Sequence, residues 1–176
     1  MSDRTLYLGC GDQDTNGGIG IDILPGQSVD VVGDLSKPPF PFKDSTFDMI
    51  HCDHVLEHLD DVLGVMADIH RISRDGARVH IMIVHYTHPN MYEDPTHKRA
   101  LSYHSFRMLT MPEYEFLKRY EWAKFKLVRR YLHFRKPYRR LGIAWLANKF
   151  PFQYEQYFCW MAPAWMIEAE LEVTKQ

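Results

Sequence analysis

The sequence predicts an α/β protein built on a mostly parallel sheet, and three observations predict it. Short apolar and β-branched runs recur at 5–9, 19–23, 29–32, 47–52 and 78–84, with the lengths expected of buried strands. Between the last two, Val62, Val65, Met66, Ile69 and Ile72 fall at helical spacing, so that one helix face meets a sheet. The first run ends in Gly9-Cys10-Gly11 and the second in Asp22-Ile23. Glycines after a strand let backbone N–H groups approach a ligand, and an acid ending the next strand is placed to hold a ribose through its hydroxyls.

Each element has its own local reason. Only Asp12 to Gly18 separate the first two strands. A parallel crossover takes a dozen or more residues, so the helix after the glycine turn is missing or reduced to a turn, made sharp by Gly17-Gly18. The third run leads into Gly33-Asp34-Leu35, and the fourth into Asp53-His54. A helix over 59–73 has Asp60-Asp61 at its start and Arg71 and Arg74 at its end, the charges its dipole favours. Asp75-Gly76 is expected to stop it. Residues 85–104 read as an ordered loop rich in polar and ring side chains. Ser102 and Ser105 are placed to cap a helix over 103–111, and Pro112-Glu113 to begin another over 112–120. A strand over 124–134 follows, then a last one over 166–174, where Ile167, Ala169, Leu171 and Val173 alternate with polar residues.

Length and composition bound the class. A chain of 176 residues is read as one domain, 1–176, with 45% apolar and 25% charged residues, an ordinary globular balance. Cys10, Cys52 and Cys159 are odd in number and lack metal-type spacing, which points to a reducing cytoplasm rather than a disulfide scaffold. The polar N-terminus carries no signal-peptide pattern, and no apolar run is long enough to span a bilayer. The formal net charge of −2 hides an asymmetry. Residues 118–140 hold ten Lys or Arg against one acid, Glu121, on an otherwise acidic chain. Such a segment suits phosphate, nucleic acid, lipid headgroups or an acidic partner. It also carries Trp122, Phe125, Leu127 and Val128 as core candidates, so a solvated face on a packed element is the plain alternative.

The pieces LYLGCG, GIDI, VVGDL, PFPFKDSTFDMIHCDHVLEHL and ARVHIMIV, in that order over residues 5 to 85, resemble the class I S-adenosylmethionine-dependent methyltransferases. The block FPFKDSTFDMIHCDHVLEH carries most of the specificity. The resemblance implies a Rossmann-like sheet whose last strand inserts antiparallel, here lacking the N-terminal helix and with the shortened first crossover. It implies S-adenosylmethionine as cofactor, with Gly9, Cys10 and Gly11 against its methionine part and Asp22 on the ribose hydroxyls, beside Ile23. Asp34 would take the adenine amino group, Leu35 would pack near the ring, and Asp53-His54 would line the methionine end. The third glycine of the usual pattern is replaced by Gln13, with Asp12, Asp14 and Asn16 nearby to supply contacts. His85-Tyr86 with Asp94-Pro95-Thr96-His97-Lys98-Arg99 looks like a small bacterial-type subgroup associated with carbohydrate modification.

The chemistry implied is methyl transfer to a small-molecule or glycan-type acceptor, at oxygen. A sugar hydroxyl profits from a general base, and histidine suits neutral pH. His85, at the end of the fifth strand, and His97, with Asp94 on the following loop, are the candidates, with Lys98 and Arg99 available to an anionic substrate. His54 and His58 flank Glu57. Ten histidines raise a metal centre, with His54, His85, His88, His97, Asp53 and Asp94 of the right types, but no spacing matches a known ligand pattern and none is predicted. The region about 112–165 reads as a basic and aromatic cap. Its stretch 118–165 suits contact with a membrane or other anionic surface, a dimer face, or packing onto the domain's own core. Two other functions stand beside the first. One is a nucleic-acid methyltransferase, disfavoured because no Asn/Asp-Pro-Pro-Tyr or -Phe motif is present. The other is a non-catalytic partner module that retains the fold.

Overall fold

The structure, a computed structural model, describes residues 4–110 and 124–175. Its frame is one seven-stranded sheet in the order β3-β2-β1-β4-β5-β7-β6. The strands are β1 (Thr5–Leu8), β2 (Ile19–Asp22), β3 (Val31–Val32), β4 (Phe47–Asp53), β5 (Ser73–Val84), β6 (Lys124–His133) and β7 (Met166–Thr174). Strands β1 to β5 pair in parallel, and β7 inserts antiparallel between β5 and β6. The chain leaves β1 toward β2 on one side and returns to β4 on the other. That reversal opens a crevice beyond the carboxyl ends of β1 and β4.

The first crossover is a turn, as its length dictates. Asn16 (φ 48°) and Gly17 (φ 81°) take left-handed conformations, and Gly18 N–H donates to Thr15 O at 2.8 Å. A Cβ on Gly18 would stand 2.9 Å from Thr5 O, so the turn packs directly on β1. Among the described residues no helix lies between β1 and β2 or between β2 and β3.

Helix α1 (Val62–Ile72) is capped by Asp61, which accepts from Gly64 N–H at 2.8 Å. It buries Val65, Met66, Ile69 and Ile72. Its end differs from expectation. Ser73 Oγ donates to Ile69 O at 2.6 Å, and the chain enters β5 at once. Asp75-Gly76 therefore forms an outward kink inside the strand. Gly76 has φ 74°, and the register jumps from Phe47↔Ser73 to Met49↔Arg78. Among the described residues five shorter α-helices follow: α2 (Asn90–Glu93), α3 (Arg107–Thr110), α4 (Lys136–Arg140), α5 (Ile143–Lys149) and α6 (Pro151–Gln153). Of the helix expected over 103–111, the described residues form Arg107–Thr110, and the one expected over 112–120 lies outside the described residues.

The sheet is apolar on one face only. Leu6, Ile50, Val79, Ile81, Ile167 and Leu171 are buried on that face, and α1, α3 and α5 add residues to the same cluster. The alternate residues form a half-exposed polar face tied across the strands. Tyr7 stacks on His51 at 4.7 Å. His80 Nδ1 donates to Asp53 at 3.1 Å, and Glu168 accepts from His133 at 2.7 Å. Arg78 pairs with Glu170 and Glu172 at 3.5 and 3.0 Å. A parallel sheet usually hides both faces under helices. Here the missing first helices leave a face that the sequence has made polar.

The loop from β3 to β4 is held by one side chain. Buried Asp68 accepts from Phe40 N–H and from Arg71 Nε, both at 2.6 Å. Arg71 also donates to Phe42 O at 2.8 Å, Phe40 O at 3.0 Å and Asp44 at 2.7 Å. Arg71→Ala strands the Asp68 carboxylate and two carbonyls, and is expected to lower unfolding free energy by about 2–3 kcal/mol in urea denaturation. A loss below about 0.5 kcal/mol, the range of ordinary surface changes, would contradict this clamp.

Candidate functional site

The glycine turn sits where β1 meets the crevice. Gly9 and Gly11 have φ 62° and 50°, conformations that side chains disfavour. Gly9 N–H and Cys10 N–H both donate to Ile21 O. A Cβ on Gly9 would lie 2.5 Å from Val55 Cγ2, while one on Gly11 would meet nothing within 4 Å. Gly9 is therefore needed for packing, and Gly11 faces open space. Asp22 binds this turn: Oδ2 accepts from Gly11 N–H at 2.9 Å and Oδ1 from Leu24 N–H at 3.1 Å. Each oxygen keeps a second lone pair, enough for two ribose hydroxyls. The Cys10 side chain turns inward, donating to Ser28 O at 3.4 Å, and burial pushes its thiol pKa up. It leaves only backbone to a ligand.

Next to Asp22, Ile23 and Leu24 are 61% and 69% exposed. Two bare aliphatic side chains beside a carboxylate suit the face of an adenine ring. Asp34, after β3, accepts from Ser36 N–H at 2.9 Å and Ser36 Oγ at 2.6 Å, and pairs with Lys37 at 2.9 Å. The Ser36 hydroxyl, then Lys37, hold its carboxyl down to about 2, so it is a charged acceptor throughout the physiological range. Leu35 is buried in the core cluster beneath it. The donor and acceptor set, the open glycine and the apolar pair fit a nucleoside carrying an amino-acid chain. The Asp53 carboxylate is committed to His80 on the polar sheet face.

His54, expected to line the methionine end, has a side-chain environment of its own. Leu8 pairs with Cys52, so the turns after β1 and β4 emerge side by side, and Val55 touches Gly9. His54 has φ 57°, a strained conformation for a residue with a Cβ, held by its N–H donating to Met82 O at 2.7 Å. Its Nδ1 donates to Glu57 Oε1 at 3.3 Å. Glu57 is fully buried while the His54 side chain is 41% exposed. This bond raises the His54 pKa from its ordinary value. It also fixes the proton on Nδ1 and leaves the Nε2 lone pair free. Glu57 Oε1 accepts from Val84 N–H as well, and Oε2 is buried without a partner. The readable signal is the His-x-x-Glu spacing on a turn, which places a ring over a carboxylate.

The other predicted residues lie elsewhere. His85 is fully buried and holds the cap onto the sheet. Its Nε2 donates to Glu155 at 3.1 Å, and its Nδ1 accepts from Thr87 Oγ at 2.7 Å and Thr87 N–H at 3.2 Å. Both ring nitrogens are thus engaged. Glu155 also accepts from Tyr103 N–H at 2.7 Å. His97 Nδ1 donates to Met91 O at 3.3 Å, its ring packs 4.7 Å from that of His58, and its Nε2 faces Asp94 at 3.9 Å. Lys98 and Arg99, both exposed, are paired with Asp60: Lys98 Nζ meets its carboxylate at 2.5 Å and Arg99 donates to its carbonyl. Their backbone N–H groups donate to Glu57 O at 2.7 and 3.0 Å, so the 94–99 loop docks on the His54–Glu57 turn.

The histidines and acids that raised a metal centre do not converge as one group. Among the described residues, His51, Asp53 and His80, and separately His58, Asp94 and His97, bring ligand-type atoms within 4.8 Å of one another. Each acid already has a partner: Asp53 pairs with His80, and Asp94 accepts from Thr96 Oγ at 2.6 Å.

A family model described as a methyltransferase domain matches residues 19–81. No curated protein matches the chain in sequence. The fold is similar to that of an S-adenosylmethionine-dependent methyltransferase from Archaeoglobus fulgidus, with TM-score 0.67 and 17% identity over 97% of this chain and 86% of that one. It is also similar to one from Mesorhizobium loti, with TM-score 0.62 and 12% identity over 97% and 90%. The [4+2]-cyclase SpnF is similar too, with TM-score 0.60 and 15% identity over 99% and 76%, so the fold alone does not name the reaction. The chain thus carries a methyltransferase-domain match over β2 to β5 and shares, along nearly its whole length, the fold of S-adenosylmethionine-dependent methyltransferases.

Proposed function

We propose that the chain transfers a methyl group to a hydroxyl oxygen of a small-molecule or glycan-type acceptor, with His54 as general base and Glu57 as its orienting carboxylate. One observation carries this reading: a half-exposed imidazole with a free Nε2, fixed by a buried carboxylate, belongs to the residue next to Val55, whose side chain packs on Gly9 of the glycine turn. S-adenosylmethionine, when bound, supplies an electrophilic methyl and a good leaving group. The chain's share is binding, orientation and proton transfer. A hydroxyl is a poor nucleophile until its proton is removed. His54 Nε2 accepts that proton, and Glu57 stabilises the imidazolium that forms. Asp94, bonded to Thr96, and His97, bonded to Met91 O, shape the acceptor side through the docked loop, and His85 positions the cap.

The Glu57 bond raises the His54 pKa above its ordinary value of 6.5, so the base form appears only above that raised value. The value of kcat/KM should climb with pH through a limb above 6.5, and the limb should be lost in His54→Gln. An unchanged limb in the variant would assign the titration to another group.

The acceptor class is tested by incubating the protein with methyl-tritiated S-adenosylmethionine, a panel of glycans with free hydroxyls, and RNA. Label in a glycan supports the reading. Label confined to RNA would establish the nucleic-acid alternative, and no transfer to any acceptor would favour a partner module.

A further inference from the structure

Helix α5 is built inside out. Its inner face is small: Ala144 and Ala147 are buried, and Asn148 donates to Leu132 O at 2.9 Å while accepting from Leu132 N–H at 2.7 Å. Its bulky residues point outward, with Trp145 62% and Leu146 50% exposed. A soluble amphipathic helix buries its large apolar residues and exposes its polar ones. The segment after it repeats the inversion. Tyr154 and Cys159 are buried, Tyr154 donating to Ala162 O at 2.8 Å, while Phe158, Trp160 and Met161 are exposed, Met161 to 78%. Leu141, in the link from α4, is 73% exposed. Soluble monomers rarely leave so many large apolar side chains of one segment in solvent without a use for them.

The charges on this segment have one sign. From 135 to 165 it carries Arg135, Lys136, Arg139, Arg140 and Lys149 against a single acid, Glu155, whose carboxylate turns inward to His85 and Tyr103. Two of these cations border rings of the segment: Lys149 Nζ lies 4.7 Å from the Trp145 ring centroid and 5.5 Å from that of Phe150, and the Arg135 guanidinium lies 5.8 Å from that of Trp165. We propose that α4, α5 and the segment 150–165 form a docking surface for an anionic lipid bilayer. Trp145, Leu146, Trp160 and Met161 enter the headgroup region, and the arginines and lysines bind the lipid phosphates. A symmetric contact with a second copy would set these cations against themselves. Single-stranded nucleic acid would use the rings but gain little from Leu141, Leu146 and Met161. No described helix is long and apolar enough to cross a membrane, so the contact lies on one leaflet. It goes beyond the proposed methyl transfer and needs none of its residues, although Trp160 meets Tyr86 edge-on at 5.8 Å and so couples the surface to the end of β5.

Flotation with vesicles tests it without any acceptor. Wild type should float with phosphatidylcholine vesicles containing one-third phosphatidylglycerol, show a blue shift of tryptophan emission, and be released as salt rises from about 0.05 to about 0.5 M. Trp145→Ser with Met161→Ser should weaken partitioning at least about tenfold. Both side chains are exposed, so thermal unfolding should stay unchanged, which separates lost docking from lost folding. Arg139→Glu with Arg140→Glu should remove the preference for anionic vesicles. Three results would overturn the proposal: no flotation with either vesicle, binding to single-stranded RNA only, or a dimer in sedimentation velocity that the Trp145/Met161 variant dissolves.

Discussion

Replacing His54 by glutamine should lower kcat by about 10²- to 10⁴-fold while S-adenosylmethionine affinity stays within a few fold. Glutamine keeps a donor toward Glu57 but offers no base at the position of Nε2. The split between kcat and cofactor binding matters because Val55 contacts Gly9, so a merely structural loss at 54 would loosen the glycine turn and weaken binding as well. Glu57→Gln should act in the same direction but less, since it leaves the imidazole in place and removes its charge partner. If His54→Gln retains wild-type turnover with an identified acceptor, the base lies elsewhere, and His97 becomes the residue to replace.

Phe47→Ala should destabilise the protein by about 3–5 kcal/mol, read as a shift of the urea midpoint with an unchanged slope. Phe47 is fully buried and meets Phe42 edge-on at 5.1 Å. The reason for a large effect is architectural. With one sheet face polar, one apolar layer supplies the burial that holds seven strands together. Total stabilities of domains are only about 5–15 kcal/mol, so this truncation takes a large share. Tyr7→Ala, on the polar face, removes a stacked ring from partial exposure and should cost well under half as much. Equal losses at both positions would show that the polar face is also covered.

Much of the sheet was legible in the sequence because strand signals there are local. The runs over 19–23, 47–52 and 166–174 became β2, β4 and β7 within a residue. The antiparallel insertion of β7 came from the family resemblance rather than from periodicity. The shortened crossover followed from chain length between Gly11 and Ile19. The start of β5 was misread because Asp75-Gly76 has the composition of a helix stop, whereas a hydrogen bond from Ser73 Oγ ends α1 three residues earlier. The polar face was visible in principle: Arg78, His80 and Met82 alternate with Val79, Ile81 and Ile83, a pattern proper to a half-covered sheet.

The site was less legible, and for a physical reason. Glycines and acids at strand ends are local signals, and Gly9, Gly11, Asp22 and Asp34 do gather at one edge. What separates a base from a buried anchor is long-range. His85 is occupied by Glu155, seventy residues away in the chain, and no spacing shows that. His54 was grouped with the cofactor residues because its relation to Glu57 depends on a left-handed backbone at 54. The inverted faces of α5 likewise need the fold to show which side is inside.

The turn joining Gly11 to Asp22 is expected to bind S-adenosylmethionine despite its missing helix. Calorimetric titration of wild type and Asp22→Ala with S-adenosylmethionine tests it most directly. Wild type should bind saturably, with at least about a hundredfold loss in the variant, which removes both a ribose acceptor and the hydrogen bond to Gly11. Absence of binding by wild type, or equal affinity in the two proteins, would contradict it.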